Sequence, residues 1–171
     1  LGASLEGDRT TLRVWAPTAL DAKATLYPSA TGPASETVPL ALDPATGAWS
    51  LTVPRNLRGF FYTYEVTVFV PGEGIVVNTV TDPYSLSLAA DSVRTAILDL
   101  DDPATQPEGW DLDRRPDTVK AQTDLILYEL HVRDFSRDDL TVPTPHRGKY
   151  LGFTHADADG MRHLRSLAAA G

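Results

Sequence analysis

The chain has 171 residues, of which 42% are hydrophobic and 22% charged, a composition typical of a folded protein rather than a disordered one. Its formal net charge is −8, and residues 1–100 and 101–171 each carry −4, so neither part has the cationic excess needed to bind nucleic acid or an anionic membrane. The chain lacks cysteine, runs of 18 apolar residues and an apolar signal-peptide core, which excludes disulfides, thiolate chemistry and membrane insertion and leaves the cellular compartment open.

Short alternating runs of polar and apolar residues, separated by turn residues, extend from Leu12 to about Leu100. The clearest run is residues 61–70, in which Tyr and Val side chains at every second position share one face. The Pro and Gly residues at 71–74 then predict a tight turn into residues 75–80, and so a hairpin. Together these runs predict an antiparallel sandwich of about seven strands. The other predicted strands are residues 12–15, 22–27, 36–42, 49–53 and 95–100.

The remainder of the chain changes character. Residues 101–124 are acidic and proline-rich, with Trp110 as the single large aromatic anchor, which predicts a linker. Residues 125–132 (LILYELHV) are almost continuously apolar, as in a strand buried on both faces of a parallel sheet. Residues 157–170 then have helical apolar spacing and are followed by Gly171, a favoured residue just past a helix end.

This ending predicts an unfinished second domain. A parallel strand and its crossover helix need at least one more strand against which to pack. The chain also lacks an initiator methionine, since its single Met is Met161. We therefore expect the 171 residues to be a piece of a longer chain.

Glu129, His131, Arg133 and Asp134 cluster at the end of the predicted buried strand. In an α/β barrel, active-site groups lie at the carboxyl ends of strands, so His131, Arg133 and Asp134 are candidates for shaping such a site. The favoured alternative is structural: Arg133 and Asp134 pair with neighbouring loops, and His131 is a satisfied supporting group.

No residue of the chain is assigned a catalytic role from its pattern. Carboxylate pairs such as Glu129 with Asp134, or Asp134 with Asp138 and Asp139, need a cleft to perform glycoside hydrolysis, and nothing in the sequence builds one. Asp138 and Asp139 are predicted to be solvated.

No residue is assigned to a metal, and no cofactor is predicted. The histidines lack the spacing of a zinc site; they are His131, His146, His155 and His163. An acidic run at Asp99, Asp101 and Asp102 lacks the alternating ligands of a calcium loop, which favours a solvated patch.

The three tryptophans are the aromatic residues considered for sugar stacking, because a pyranose ring packs its apolar face on an exposed indole. Trp49 shares a strand face with Leu51 and Val53, which predicts a core position. Trp15 lies on the face opposite Leu12, so that it is either exposed or packed against a following domain, and domain packing is favoured. Trp110 is predicted to pin the linker to a domain.

Several motifs carry a family resemblance. The first group resembles carbohydrate-binding module family 48: RVWAPTA at 13–19, GAWS at 47–50, GFFYTYEV at 59–66 and TDPYSLSL at 81–88. The second group is similar to the entry into the catalytic barrel of type I pullulanases of glycoside hydrolase family 13: PEGWD at 107–111, YELHVRDFS at 128–136 and GKYLGFT at 148–154. The order and spacing of the motifs cover nearly the whole chain.

The resemblance implies a mainly β fold: an immunoglobulin-like β-sandwich at 1–100, an acidic linker at 101–124, and at 125–171 the first strand and helix of an incomplete (β/α)8 barrel. It also implies a parent enzyme that hydrolyses α-1,6-glucosidic links in pullulan, starch or glycogen limit dextrins with retention of configuration. Its Asp nucleophile, Glu acid/base and second Asp fall outside this chain, so the chain alone is expected to be inactive. Calcium is conceivable for the parent and has no support here.

The expected partner is therefore an α-glucan, bound through the parent enzyme, and no sugar-binding residue is assigned. Glycogen-binding relatives carry a Trp shortly before the pair that corresponds to Asp82 and Pro83, whereas this chain has residues 78–81 (NTVT) there. This departure favours a scaffolding role over independent sugar binding. The alternatives are a non-catalytic glucan-binding module, with Trp15 or Trp49 as fluorescent reporters, and a sandwich that binds another protein.

Overall fold

The computed structural model describes residues 1–114 and 119–170, and the chain divides into two compact units, Leu1–Asp113 and Arg114–Gly171. The predicted helix-ending Gly171 and positions 115–118 of the predicted linker lie outside the described residues. The strands are β1 (Gly2–Glu6), β2 (Arg9–Trp15), β3 (Ala19–Tyr27), β4 (Glu36–Pro39), β5 (Ala41–Asp43), β6 (Ala48–Val53), β7 (Phe61–Val70), β8 (Gly74–Val80) and β9 (Thr95–Ala96). The helices are α1 (Val132–Ser136) and α2 (Asp159–Ala170).

The first unit is built from two antiparallel sheets, as the alternating pattern predicted. One sheet has the order β1-β2-β6-β5, and the other has the order β4-β3-β7-β8 with β9 beside the start of β7. Every second residue of the central strands points into the core, which therefore consists of one apolar layer from each sheet. The buried core comprises Leu12, Val14, Ala22, Ala24, Leu26, Leu40, Trp49, Val53, Leu57, Tyr62, Tyr64 and Ile97. The predicted core position of Trp49 is confirmed.

The predicted strand at residues 36–42 is instead two strands in different sheets. β4 pairs with β3, whereas β5 pairs with β6. Between them Leu40 is only 6% exposed, and its N–H donates to the Ala22 carbonyl at 2.9 Å. The chain thus crosses from one sheet to the other at Leu40. In the sequence, the alternating pattern runs through this residue without a break.

The remaining strand predictions differ mainly at the ends. β1 was not predicted, and the predicted strand at 95–100 shortens to β9, which is followed by the fully buried Ile97. The N–H of Ile97 still donates to the Phe60 carbonyl at 2.9 Å. The hairpin of β7 and β8 is confirmed, with the turn at the predicted Pro and Gly residues.

The second unit contains two helices and, within residues 119–170, no strand. The strand predicted at 125–132 is not shown, since Val132 begins α1 and the preceding residues pair with no strand among the described residues. A strand needs a hydrogen-bonded neighbour, and none is present. Ile126 and Leu127 are accordingly 79% and 88% exposed. α2 agrees with the predicted helix and starts two residues later. No described helix has the length and apolarity to cross a membrane.

Candidate functional site

Trp15 lies at the end of β2, on the face of its sheet that points away from the core. Alternation along β2 buries Leu12 and Val14 and turns Arg13 and Trp15 outward. The residue opposite Trp15 on β6 is Ala48, whose small side chain leaves the indole ring uncovered. Trp15 is 55% exposed, so a flat aromatic surface faces solvent within this unit. The predicted packing of Trp15 against a following domain stays a prediction.

The orientation of this indole is fixed by the turn between β5 and β6. Trp15 Nε1 donates to the Thr46 carbonyl at 3.0 Å. This bond satisfies the only polar group of the indole. The turn itself is held by Asp43, whose carboxylate accepts from Thr46 Oγ1 at 2.8 Å and from the Ala45 N–H at 3.0 Å. These two bonds, that from Thr46 first, lower the pKa of the Asp43 carboxyl below its usual range, so that it stays charged.

Gly47 is the residue that allows this turn to approach Trp15. Its φ is +73°, in the left-handed region that favours glycine, and its N–H donates to the Asp43 carbonyl at 2.8 Å. A Cβ at this position would stand 2.7 Å from Pro17 Cβ and 3.5 Å from Trp15 Nε1. A larger residue would therefore push the turn away from the indole. Gly47 of the GAWS motif thus allows the turn at residues 43–47 to hold the Trp15 ring in place.

A shallow cleft of about 490 Å³ lies beside the indole. The polar residues that line it are Arg13, Asp43, Thr46 and Ser50. An open aromatic face flanked by charged and hydroxyl groups is suited to a ligand with one apolar face and a rim of hydroxyls. Among small biological ligands, a pyranose ring has this distribution of apolar and polar atoms.

Comparison with known proteins agrees with this chemistry. The family model described as carbohydrate-binding module 48 (isoamylase N-terminal domain) matches residues 1–85. Residues 1–85 belong to the carbohydrate-binding module 48 family. The resemblance stated from the RVWAPTA, GAWS, GFFYTYEV and TDPYSLSL motifs is confirmed.

The similarity to known proteins extends beyond the family 48 module. Over 174 aligned residues the chain is 41% identical to a pullulanase of Klebsiella pneumoniae and 36% identical to the chloroplastic pullulanase 1 of Arabidopsis thaliana. These alignments cover 99% and 100% of this chain but 16% and 18% of the two relatives. The chain thus spans about a sixth of the length of the curated relatives that it matches. The resemblance to pullulanases is confirmed over both compact units.

Solved pullulanase structures have the same fold over this length. A maltotriose complex of the Klebsiella pneumoniae enzyme matches 99% of the chain and 16% of its own with a TM-score of 0.86 at 40% identity. A Paenibacillus barengoltzii pullulanase complexed with maltohexaose and α-cyclodextrin matches 98% of the chain and 26% of its own, with a TM-score of 0.79 at 36% identity.

The module has no aromatic residue at positions 78–81, where glycogen-binding relatives were expected to carry a tryptophan. Asn78, Thr79 and Val80 are exposed at the end of β8. None of them offers a ring for stacking. Trp15 is therefore the exposed tryptophan of the sandwich strands.

The TDPYSLSL motif of the module has a structural role, since Asp82 is only 2% exposed. One carboxylate oxygen accepts from Tyr62 Oη at 2.5 Å and from Tyr64 Oη at 3.3 Å, and the other accepts from the Tyr84 N–H at 2.8 Å. The Asp82 N–H donates to Thr95 Oγ1 at 2.8 Å. The carboxylate joins β7 to the segment after β8 and is closed to any ligand.

In the second unit, His131, Arg133 and Asp134 do not form an enclosed site. His131 Nδ1 lies 3.6 Å from Asp134 Oδ2, and these two side chains are 70% and 69% exposed. Glu129 and Arg133 are also exposed. Their assignment to the wall of an active site stays a prediction.

The two adjacent carboxylates predicted to be solvated differ in role. Asp138 is 93% exposed, as predicted. Asp139 is structural: it accepts from the hydroxyl of Thr141 and, at 3.2 Å, from the Gly160 N–H at the start of α2. The Thr141 hydroxyl bond lowers the pKa of Asp139, which is thereby held charged at the positive end of the helix dipole. Sequence reasoning missed this role because Asp139 and Gly160 are far apart along the chain.

The histidines and the acidic run at 99–102 are also paired within the protein. His146 Nδ1 and His155 Nε2 are 2.8 Å apart, and no group of three or more metal-ligating side chains occurs in the described residues. Arg58 donates to both Asp99 and Asp102 at 2.7 Å. The predicted solvated acidic patch is therefore neutralised in part by Arg58, a long-range partner that spacing alone does not indicate.

Proposed function

We propose that the chain is the family 48 module, linker and barrel start of a pullulanase-type hydrolase, which acts with retention on α-1,6 links of pullulan, starch or glycogen limit dextrins. The observation that carries the proposal is the pullulanase match, which spans both compact units rather than the module alone. The proposed organisation is a sandwich at 1–100, an acidic linker at 101–124 and the barrel start at 125–171.

The second unit supports a barrel that is completed by other residues. The extended segment before α1 exposes Ile126 and Leu127 almost fully, and its backbone lacks a neighbouring strand in the described residues. Apolar side chains of this segment and of α2, including Leu164 and Leu167, line a common cleft of about 700 Å³ within the unit. Adjacent barrel strands would supply both the missing hydrogen bonds and the apolar contacts.

We expect the purified 171-residue chain to release no reducing ends from pullulan, because the proposed catalytic carboxylates belong to later barrel strands. The measurement compares this chain with a longer protein that contains it and completes the barrel, at equal molar concentration. The longer protein is expected to cleave pullulan and to leave linear amylose intact. Hydrolysis by the 171-residue chain above a heat-denatured blank would refute the proposal that the catalytic carboxylates lie outside this chain.

The second candidate function is α-glucan binding by the module itself, and the fixed, exposed Trp15 ring with its polar rim favours it. Stacking on one indole supports a weak interaction, since the site is shallow and offers a single aromatic platform. This function is compatible with the first, because a module that holds a glucan raises its concentration near an attached barrel.

Trp15→Ala is expected to weaken binding of maltooligosaccharides or β-cyclodextrin by about tenfold or more, which corresponds to about 1.4 kcal/mol. The measurement is a titration by calorimetry into the 171-residue chain. Trp110→Ala is the matched control: Trp110 is similarly exposed, at 58%, but lies outside the sandwich strands, so affinity should not change. If the Trp15→Ala variant and the unsubstituted 171-residue chain bind with equal affinity, Trp15 is not part of the binding site.

A further inference from the structure

The connection between α1 and α2 in the second unit, residues 137–158, is fastened to α1 at two points. Ser136 of α1 is 1% exposed, and its hydroxyl oxygen accepts from the Gly148 N–H of the connection at 3.0 Å. Phe135 of α1 stacks on Phe153 of the connection, with the ring centroids 4.4 Å apart. The connection is therefore packed against the helix that precedes it.

A pair of histidine rings joins the two ends of residues 146–155, the latch loop, within this connection. His146 Nδ1 and His155 Nε2 are 2.8 Å apart, and both side chains are partly buried. The ring centroids are 5.0 Å apart, and the ring planes are inclined by 34°. The distance between the two nitrogens is that of a hydrogen bond, so one ring donates its N–H and the other accepts at an unprotonated nitrogen.

This hydrogen bond depends on how many protons the two rings carry. With both rings neutral, or with one extra proton, one nitrogen lone pair is still present to accept the bond. After a second proton, both facing nitrogens carry hydrogen, so the acceptor is lost and two cations stand side by side. Histidine is the side chain whose charge changes between about pH 5 and pH 8. The Ser136 hydroxyl and the two stacked phenyl rings do not titrate in this range, so acid acts on the histidine pair and leaves these two contacts unchanged.

No carboxylate beside the latch loop is paired with the histidine rings to balance a second proton. Three of the neighbouring carboxylates are engaged elsewhere: Asp134 by the histidine before α1, Asp139 by the Thr141 hydroxyl, and Asp159 by Arg162. The two others in α1, the connection and the first turn of α2 are exposed and are Asp138 and Asp157. Among the described residues, none of these five carboxylates forms an ion pair with either ring of the pair.

Cations border the latch loop and oppose a second proton on the histidine pair. Arg133 and Arg137 of α1 lie beside Gly148, since a Cβ at Gly148 would stand 3.5 Å from Arg133 Cγ and 3.7 Å from Arg137 Cβ. Arg147 and Lys149 lie in the latch loop itself. Like charges disfavour the charged form of a nearby group. The closed loop therefore holds the pair with at most one extra proton, whereas a released loop can take two.

We propose that the pair of His146 and His155 is an acid-sensitive latch, which holds residues 146–155 closed while at least one ring is neutral and releases them when both rings are protonated. The released loop then binds one proton more than the closed loop. The closed form is therefore favoured at high pH and is lost as the pH falls, with about tenfold more opening for each pH unit. Because the first proton repels the second, release falls toward the acidic end of the range of about pH 5–8.

The latch also has a consequence for catalysis, which rests on the proposed function. In a (β/α)8 barrel the loops that follow the strands form the active-site face, and residues 137–158 follow the predicted strand at 125–132. A longer protein that completes the barrel is therefore expected to lose pullulan hydrolysis reversibly on acidification, at the same pH at which the latch loop is released. Release without any loss of hydrolysis would contradict this place of the loop in the barrel and would leave the latch itself standing.

The test of the latch is hydrogen exchange, measured by mass spectrometry on peptides that cover residues 146–155 from pH 8 to pH 5. Rates are corrected for the intrinsic pH dependence of exchange, and both the 171-residue chain and the longer protein are measured. Protection of these peptides is expected to fall by about tenfold per pH unit at the acidic end, whereas peptides from β7 keep theirs. Constant protection over the whole range, or no protection at pH 8 in either protein, would overturn the proposal.

Glutamine variants test whether the second proton is the cause. His155→Gln offers the His146 ring both a donor and an acceptor and takes no proton, so the latch loop should stay protected at pH 5. His146→Gln should behave in the same way. His163→Gln is the matched control, because His163 is exposed and contacts Tyr128 instead, and acid release should be unchanged. Acid release of parental size in both variants of the pair, or a loop unprotected at pH 8 in both, would refute the latch.

Discussion

Asp82→Ala is expected to lower the free energy of unfolding of the sandwich by about 3–4 kcal/mol, the largest effect of any single substitution considered. The buried carboxylate accepts hydrogen bonds from the buried hydroxyls of Tyr62 and Tyr64 and from the part-buried Tyr84 N–H. Removing it leaves these donors without acceptors and opens a small cavity between β7 and the segment after β8. The measurement is chemical denaturation followed by near-ultraviolet circular dichroism.

Graded variants separate the hydrogen bonds from the charge of Asp82. Tyr62→Phe removes a single donor and is expected to cost about 1–2 kcal/mol. Asp82→Asn keeps the shape but has one acceptor oxygen instead of two, and should fall between Tyr62→Phe and Asp82→Ala. Asp8→Asn, on an exposed turn, should stay within about 0.5 kcal/mol of the parent. A stabilising Asp82→Asn would mean that the cost of burying the carboxylate outweighs its hydrogen bonds.

The stability of the sandwich is expected to fall steeply above about pH 10, by about 2.7 kcal/mol per pH unit, until the unit unfolds. Burial raises the pKa of both Tyr62 and Tyr64 far above the ordinary phenol value, and the nearby Asp82 carboxylate raises it further. In the unfolded chain both phenols lose a proton near pH 10, whereas in the folded unit both keep it. The unfolded state then binds two fewer protons, so stability is complete below pH 10 and is lost as the pH rises.

The alkaline prediction is checked by measuring unfolding free energy against pH together with the phenolate absorbance of the six tyrosines. The absorbance of two tyrosines should appear only with the loss of tertiary circular dichroism. Tyr64→Phe should halve the slope to about 1.4 kcal/mol per pH unit, whatever its stability at neutral pH. Ionisation of all six tyrosines in the folded chain would contradict the prediction.

The strands that could be predicted from sequence are those whose alternation is set by the core. Tyr62 and Tyr64 occupy every second position of β7 and are fully buried, and the alternation that identified the strand also identified its buried face. The break at Leu40 was not predicted, because a residue that passes between two sheets is apolar and buried like its neighbours in a strand. Only the change of pairing partner distinguishes the two situations.

The candidate site was predictable in part. The alternation of β2 placed Trp15 outward, but its fixed orientation depends on the Thr46 carbonyl, a contact across 31 residues of sequence. The strand predicted at 125–132 is not shown by the described residues, because an apolar run indicates only that a segment can be buried, whereas a strand also needs a hydrogen-bonded neighbour. Resemblance of the motifs contributed what the pattern could not, namely the link between the sandwich and pullulanases.

The way in which the chain crosses between sheets at Leu40 has a consequence for folding. The strands enter the sheets in alternating pairs: β1 and β2 in one, β3 and β4 in the other, then β5 and β6, then β7 and β8. The central pairings, β2 with β6 and β3 with β7, join strands that are distant in sequence, so neither sheet is complete until the chain has almost reached Val80. Such nonlocal topology implies slow, all-or-none assembly. The sandwich is therefore expected to fold as one unit, with neither sheet forming alone.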